Sequence, residues 1–257
     1  MFVTTAGRTN QHMVEQAKLM AADLEVPFID RKKRSVELLQ KLYNDTCMVV
    51  GKERLELFPL GEAEPFFFHP NSAMFRIKRL QRGEHDPFIE ACQLQDGMSF
   101  LDCTLGLASD SIVASYQVGS KGKVIGLEAE KYLSYLVRAG LNTWNSEVPV
   151  IDEAMRRIEV KHTYCYEYLK KLPSNSVDIV YFDPMFEESI LESDGIQALS
   201  HFAVYDTFLE QWITEALRVS KKRVVLKDHY QSERFKQFGF QQIHRKTAKF
   251  HFGILDK

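Results

Sequence analysis

The sequence has little of what a metal-binding or disulfide-bonded protein requires. It contains only four cysteines, and they are widely separated, without a C-x-x-C pair or an accompanying histidine cluster: Cys47, Cys92, Cys103 and Cys165. This spacing gives no support for a zinc or iron–sulfur site or for a disulfide framework. We therefore expect reduced structural thiols and no bound metal.

Long apolar runs are also missing. No run approaches the roughly 18 residues that a membrane-spanning helix needs. The opening MFVTTAGRTN lacks the charged and apolar regions of a signal peptide. The chain has 257 residues, 45% of them hydrophobic, which is enough for one large core and a smaller one. We predict a cytoplasmic protein, a monomer or a homodimer, that has no membrane partner.

Net charge is small, but it is unevenly distributed along the chain. The formal net charge is −2, whereas residues 218–257 carry 11 basic and 3 acidic side chains. A basic segment of this kind can face phosphates, although solvated lysines are the commoner reason for such a cluster. The distribution alone does not decide between these two interpretations.

From about residue 98, short apolar segments alternate with helical patterns. Strands are predicted at residues 98–104, 123–129, 158–164, 176–182 and 222–228. Repeated β-α units of this kind are typical of a parallel sheet with helices on both faces. Two later runs, FQQIHRKT and AKFHFGIL, predict a C-terminal antiparallel hairpin. The predicted fold class is α/β, with a Rossmann-like, seven-stranded, mostly parallel sheet.

The beginning of the chain has a different pattern. Helices are predicted after Thr9 and at SVELLQKLYND, and strands at TCMVVG, RLELFP and PFFFHP. We assign residues 1–85 to a small N-terminal α+β domain, a candidate for substrate recognition. Residues 86–257 form the larger domain.

Candidate site residues follow the predicted strands directly. In an open parallel sheet, ligands bind beyond the carboxyl ends of the strands. Asp102, Gly106 and Asp110 follow the first strand, and Glu128 lies at the end of the second. An acid at the second strand end can accept hydrogen bonds from both ribose hydroxyls, and a loop glycine lets the backbone approach a nucleoside. We expect these residues to bind a nucleoside cofactor.

Two cofactors are compatible with that expectation. A dinucleotide favours a G-x-G-x-x-G turn that presents helix N–H groups to its pyrophosphate. The loop DCTLGLASD has one glycine and places an acid at the helix start. S-adenosylmethionine lacks phosphates and carries an ammonium and a sulfonium, so it suits these acids better. Asp110 would also serve as an ordinary first-turn acid of a helix.

The most specific segment is YFDPMF, at residues 181–186. An Asp-Pro turn is by itself a common way to leave a buried strand. Asp183, helped by the Pro184 carbonyl, could also accept N–H hydrogen bonds from an exocyclic amine and stabilise its developing positive charge. Phe186 could stack on the base. We interpret Asp183, Pro184 and Phe186 as candidate catalytic residues for a reaction at such an amine.

Taken together, DCTLGLASD, GLEAE, HTYC, YFDPMF and RVVLK resemble the class I S-adenosylmethionine-dependent methyltransferases. Within that class, they are most similar to the RsmJ-type family of bacterial small-subunit ribosomal RNA guanine-N2 methyltransferases, over roughly residues 75–257. The resemblance implies S-adenosylmethionine as the cofactor and ribosomal RNA, or the small ribosomal subunit, as the partner. It implies cofactor contacts at Ser109, Asp110, Glu128, Ala129, Tyr164, Cys165 and Asp183.

Several basic residues are candidate RNA contacts. Arg76, Lys78 and Arg79 lie in FRIKRLQR, which we predict to be a strand with its charges on one face. Lys227 follows the fifth strand, where a solvated lysine is also common. HRKTAK supplies further basic residues near the C-terminus. Contacts of this type give affinity for phosphates without selecting a base.

Two other functions remain open at this point. The same fold could methylate another nucleic-acid amine or a small-molecule amine. Alternatively, the chain could be a non-catalytic RNA-binding or assembly protein with a vestigial cofactor pocket. Binding of S-adenosylhomocysteine would argue against the latter.

Overall fold

The computed structural model describes residues 1–184 and 210–257, which fall into two compact units. The described part of the first unit is Met1–His69, and that of the second is residues 70–184 and 210–257. Residues 70–85, assigned above to the N-terminal domain, thus group with the second unit. The reason is that they form a helix packed against the helix Ser109–Val118.

The first unit contains a three-stranded sheet and two helices. Its strands, in spatial order, are β1 (Phe2–Thr5), β2 (Cys47–Val50) and β3 (Leu55–Phe58), with β1 parallel and β3 antiparallel to β2. The helices are α1 (Gln11–Asp23) and α2 (Val36–Tyr43). Asn10 and Ser35 cap them through side-chain oxygens. The predicted strand PFFFHP was wrong, since Phe66 forms only an isolated bridge with Leu57.

The second unit contains the predicted seven-stranded sheet. Its strand order is β6-β5-β4-β7-β8-β10-β9, and only β10 runs antiparallel to its neighbours. This arrangement confirms the mostly parallel sheet and the C-terminal hairpin. The strands are β4 (Ser99–Asp102), β5 (Lys123–Glu128), β6 (Ile158–His162), β7 (Val177–Phe182), β8 (Ser220–His229), β9 (Gln241–Ile243) and β10 (Phe250–Asp256).

Helices of the second unit connect these strands. One expectation is corrected here: FRIKRLQR is helical, because Ala73 and Ile77, four residues apart, are both buried on one side of the helix. The described helices are α3 (Asn71–Gln81), α4 (Pro87–Cys92), α5 (Ser109–Val118), α6 (Lys131–Thr143), α7 (Pro149–Arg156), α8 (Cys165–Lys171), α9 (Glu210–Val219) and α10 (Arg234–Gln237).

Side chains of the large sheet alternate between two helix-covered faces. Leu101, Val180 and Phe182 belong to a buried core that includes residues of α8 and α9. On the other face, Phe88 of α4 lies 5.1 Å from Tyr181, centroid to centroid. The register pairs Tyr181 with Asp102 on one side and with Val225 on the other. Asp102, Tyr181 and Val225 therefore share this second face. Because side chains alternate along a strand, Asp183 and Lys227, two positions after Tyr181 and Val225, belong to it as well.

No helix within residues 1–184 and 210–257 is both long and apolar enough to cross a membrane. Over the same ranges, no group of three or more His, Cys, Asp or Glu side chains is placed to hold a metal ion. All four cysteines are buried as free thiols.

Candidate active site

Four of the predicted site residues, Asp102, Glu128, Asp183 and Lys227, lie at or beside the carboxyl ends of the strands, around the point where the strand order reverses between β4 and β7. There the backbone N–H of Asp183 donates to Thr104 Oγ1 at 2.6 Å and links the two strand ends. A separate groove of about 430 Å³ contains none of the candidate residues; Gln93, Met98, Lys222 and Lys257 are among those that line it.

The loop after β4 has an unusual backbone. Gly106 and Ala108 both have positive φ, at 49° and 62°, which glycine adopts readily and alanine does not. A close approach to β5 accompanies this shape: a Cβ placed on Gly126 would lie 2.3 Å from Leu105 Cδ1. The shape of the loop therefore depends on two glycines: Gly106 in the loop, which has a positive φ, and Gly126 in the neighbouring strand, which leaves room for Leu105.

Glu128 joins this loop to the end of β5. Its carboxylate accepts hydrogen bonds from the backbone N–H of Gly106 at 3.2 Å and of Glu130 at 3.0 Å. Burial raises the pKa of Glu128 to about 7, although these backbone donors oppose the rise. The position fits the predicted ribose-binding acid, because a half-buried carboxylate can accept further hydrogen bonds from hydroxyl groups.

Asp102 is more deeply enclosed, with 2% of its surface exposed. It accepts hydrogen bonds from Ser111 Oγ at 2.7 Å and from the Thr104 backbone N–H at 3.0 Å. Burial raises the pKa of Asp102 to about 7. Asp102 thus braces the loop against α5, and the cofactor contact predicted for it stays a prediction.

Residues after β5 and β6 form the neighbouring part of the edge. His162 Nε2 lies 3.1 Å from the carbonyl oxygen of Ala129, and Thr163 N–H donates to the Glu128 carbonyl at 3.0 Å. Tyr164 is 51% exposed, whereas Cys165 is buried in the core that also holds Cys103. Tyr164 is accordingly accessible to a ligand, while the Cys165 side chain packs into the protein.

Asp110, in the first turn of α5 after the half-buried Ser109, is surrounded by donors. Its Oδ1 lies 2.5 Å from Arg76 Nη1, and its Oδ2 accepts from the Tyr181 hydroxyl at 2.7 Å and from Lys227 Nζ at 3.2 Å. Burial opposes ionisation, but Lys227 and Arg76 hold the pKa of Asp110 well below its usual range. Both carboxylate oxygens, which we predicted to face the cofactor, therefore already have protein partners.

Arg76 has a different environment from the one predicted. Besides Asp110, its guanidinium contacts Asp86 through two hydrogen bonds of 2.7 and 2.8 Å, and Asp86 caps α4. Despite burial, these acids keep the pKa of Arg76 above its ordinary value. Arg76 thus ties α3, α4 and α5 together. On the same helix, Lys78 is exposed and Arg79 forms an ion pair of 2.6 Å with Glu84.

Lys227 is enclosed within the site, with only 18% of its side chain exposed. Its Nζ donates to Asp183 Oδ2 at 2.6 Å and lies 4.9 Å from the ring centroid of Phe250. Burial opposes its charge, but Asp110 and Asp183 raise the pKa of Lys227 above its ordinary value. The ammonium is therefore a fixed positive charge between two acids.

Asp183, which we predicted to be catalytic, lies directly after β7. Burial raises the pKa of Asp183, and Lys227 opposes that rise. Pro184 follows, half-buried. Phe186, the third residue interpreted as catalytic, lies outside the described residues.

Some participants were missed from the sequence. Tyr181 was assigned only to an apolar strand, although its two-residue spacing from Asp183 places both on one face. The roles of Thr104 and Phe250 had no sequence signal, because they depend on contacts between distant segments.

Comparisons with known proteins identify the family of the chain. Residues 31–254 match the model of the family described as "Putative SAM-dependent methyltransferase". A Bacillus subtilis (strain 168) protein named "Uncharacterized protein YpiP" is 49% identical over 253 residues, and the match covers 98% of each chain. A Haemophilus influenzae (strain PittGG) protein named "Ribosomal RNA small subunit methyltransferase J" is 25% identical over 224 residues, covering 82% of this chain and 80% of that one.

Similarity to a solved structure supports the fold independently. The crystal structure of the SAM-dependent methyltransferase NGO1261 from Neisseria gonorrhoeae has a TM-score of 0.64 and 16% identity, with coverage of 100% of this chain and 96% of that chain. The half-buried acid at the end of β5 and the accessible edge beside it fit a nucleoside with positively charged groups. The chain belongs to the family of S-adenosylmethionine-dependent methyltransferases, and S-adenosylmethionine is its cofactor.

Proposed function

We propose that this methyltransferase acts on an exocyclic amine of a nucleobase, namely guanine N2 in small-subunit ribosomal RNA. The observation that carries the proposal is the position of Asp183: an acid held by Lys227 and Thr104 at the edge of the sheet, immediately followed by Pro184. The relatives named "Ribosomal RNA small subunit methyltransferase J" support the choice of substrate. Action on ribosomal RNA would place the protein in the cytoplasm.

Methylation of an exocyclic amine requires a hydrogen-bond acceptor beside the reacting nitrogen. An amine on a heteroaromatic ring is a weak nucleophile because its lone pair is delocalised into the ring. A fixed carboxylate that accepts an N–H can orient the nitrogen and stabilise the positive charge that develops on it. Lys227 engages Oδ2 of Asp183, and a carboxylate has a second oxygen with which to accept the amine.

Neighbouring residues are proposed to supply a second hydrogen-bond acceptor and to bind the cofactor. The Pro184 carbonyl is a second candidate acceptor, and the proline ring adds no N–H donor. Glu128, Ala129 and Tyr164 are proposed to hold the nucleoside part of S-adenosylmethionine, which supplies an electrophilic methyl group when bound. The excess proton leaves the nitrogen after transfer, so the reaction needs no strong base.

Recognition of RNA beyond the reacting base is assigned to other surfaces. Lys78 and Arg79 on α3 remain candidates for phosphate contacts, because they face outward on the helix. The first unit, Met1–His69, is proposed to contribute to substrate recognition.

The proposal is tested by supplying radiolabelled S-adenosylmethionine with small-subunit ribosomal RNA, assembled small subunits, DNA and a metabolite extract in separate reactions. We expect label in RNA or subunits, and N2-methylguanosine as the labelled nucleoside by mass spectrometry. Ribosomal RNA from a strain lacking the protein should lack that modification at one position. Label found only in DNA or in metabolites would overturn the assignment in favour of another amine.

A further inference from the structure

Beyond Lys227, the edge of the sheet continues onto the C-terminal strands. Phe250 of β10 lies opposite His229 of β8, and Phe252 lies opposite Lys227. Opposed residues in an antiparallel pair share a face, so His229 and Phe250 lie on the same face as Lys227 and Tyr181. Since β10 is two strands from β7, this continuation begins about 10 Å from the end of the strand that carries Asp183.

Aromatic rings and cations are concentrated in this continuation. The rings of His229 and Tyr230 are 4.6 Å apart, centroid to centroid, and Tyr230 is 44% exposed. Arg245 Cζ lies 4.8 Å from the Phe250 centroid, the same ring that Lys227 approaches at 4.9 Å. We call this set, consisting of His229, Tyr230, Arg245 and Phe250, the C-terminal platform.

The C-terminal platform is held in place by a buried histidine. His251, 5% exposed, has one ring nitrogen 3.1 Å from the Arg245 backbone N–H and the other 2.8 Å from Gln242 Nε2. Gln242 also donates to the Tyr230 carbonyl at 2.8 Å. These contacts fix the turn that carries Arg245 relative to Tyr230, so the cation and the exposed ring are positioned before any partner binds.

The positive charge around the platform favours a nucleic acid as the partner. Residues 241–250, which run from β9 to the start of β10, contain three basic side chains and no acidic one. The acid of β8 that lies opposite His251, Asp228, is buried against Arg234. Exposed aromatic rings among cations are the features with which proteins bind single-stranded nucleic acid, through base stacking and phosphate contacts.

We propose that the C-terminal platform binds the nucleotide next to the methylated base, with Tyr230 stacking on that neighbouring base and Arg245 contacting its phosphate. This inference rests on the proposed function, since it assumes that the substrate is RNA. It assigns to β8 and β10 a role in substrate binding that is separate from the cofactor site.

The test measures RNA affinity and methyl transfer in full-length variants. The binding probe is a fluorescein-labelled, mixed-sequence, single-stranded RNA of about 12 nucleotides, and the methylation substrate is small-subunit ribosomal RNA. Tyr230→Ala and Arg245→Ala should each weaken RNA binding by roughly ten-fold. Tyr230→Phe should bind as the wild type does. Arg245→Ala should also reduce the slope of log K against log salt by about 0.7.

Arg138→Ala supplies a matched control, because Arg138 is an exposed arginine 5.4 Å from the ring of Tyr135 on helix α6. It should leave RNA affinity unchanged, and all variants should retain the affinity for S-adenosylhomocysteine. Loss of RNA binding in Arg138→Ala equal to that in Arg245→Ala would overturn the proposal, as would normal RNA binding by both platform variants.

Three further results separate this inference from the proposed function. If the wild type methylates RNA and the platform variants do so equally well, the platform assignment is wrong and the function stands. If the variants lose methylation only on assembled subunits while binding RNA normally, the platform contacts a protein, and the RNA assignment is wrong. If the wild type methylates no RNA, the proposed function itself fails.

Discussion

Lys227 donates a hydrogen bond of 2.6 Å to Oδ2 of Asp183, and the same ammonium lies 3.2 Å from Oδ2 of Asp110. One buried cation thus connects the acid proposed for catalysis with the acid that begins α5. Lys227 favours the ionised form of both carboxylates: it helps to lower the pKa of Asp110, and it opposes the rise that burial causes in the pKa of Asp183. The arrangement predicts how activity should respond to pH and to substitution.

Replacing Lys227 should alter the pH dependence of methyl transfer. Lys227 lowers the pKa of Asp183, so Lys227→Met should raise that pKa further and move the acid limb of kcat/KM to higher pH. Lys227→Arg retains the charge and should keep the limb near its original position. Rate profiles between pH 5.5 and pH 9 would measure this; an unmoved limb in Lys227→Met would rule out the electrostatic role.

Asp183→Asn should remove most of the turnover. The amide carries one carbonyl acceptor and no charge, so we expect a loss of about 100-fold or more in kcat. Affinity for S-adenosylhomocysteine should change by less than about three-fold. Asp178→Asn, at the opposite end of β7, is the control for effects on folding. Turnover close to wild type in Asp183→Asn would remove this residue from the mechanism.

Glu128→Gln should act on cofactor binding. Its uncharged amide makes a poorer acceptor for ribose hydroxyls, and a loss of about ten-fold in affinity for S-adenosylhomocysteine is expected by calorimetry. Glu167→Gln, an exposed change on α8, should have no effect. Equal affinities for wild type and Glu128→Gln would show that Glu128 only shapes the loop.

Arg76 should contribute to stability far more than its neighbour Lys78. Arg76→Ala leaves Asp86 buried without its guanidinium partner and takes from Asp110 one of its two cations, and removing one member of such an ion pair typically costs about 3 to 5 kcal/mol in the free energy of unfolding. Lys78→Ala, on the exposed side of the same helix, should cost less than about 0.5 kcal/mol. Urea unfolding monitored by circular dichroism compares them; similar losses would contradict the assigned role.

Asp102 should make the folded state less stable as the pH rises. Its pKa is about 7 in the folded protein against an ordinary value of 3.8, so the folded state holds a proton that the unfolded state has already lost. Stability should therefore fall between about pH 4 and pH 7, and Asp102→Asn should make that fall shallower. Asp96→Asn, at an exposed position, should leave it unaltered. Unfolding in urea at pH 5, 6, 7 and 8 measures the slopes.

The sequence was sufficient for most of the large sheet. Strands β4 to β8 lie within one or two residues of the predicted limits, because each is a short apolar run bounded by turn residues. The C-terminal hairpin followed from two adjacent strand-like runs. The acids at the strand ends could be found as well, since parallel strands bring their carboxyl ends to one edge.

Other features required three-dimensional contacts. The basic residues in FRIKRLQR are compatible with a strand as well as with a helix. The burial of both Ala73 and Ile77, four residues apart, identifies the segment as a helix. The partners of Arg76 are 10 and 34 residues away, so no local pattern could indicate that it lies inside the protein. The same limit applies to Lys227, whose two acids come from the first turn of α5 and from the residue that follows β7.

Gly126 determines the shape of the loop after β4 although it lies outside that loop. It lies in β5, and its lack of a side chain makes the space that Leu105 occupies. A substitution as small as Gly126→Ala would push that leucine outward and with it the backbone N–H that Glu128 accepts. A glycine motif sought only within the loop would therefore miss part of what this loop requires, because the second glycine lies in the adjacent strand.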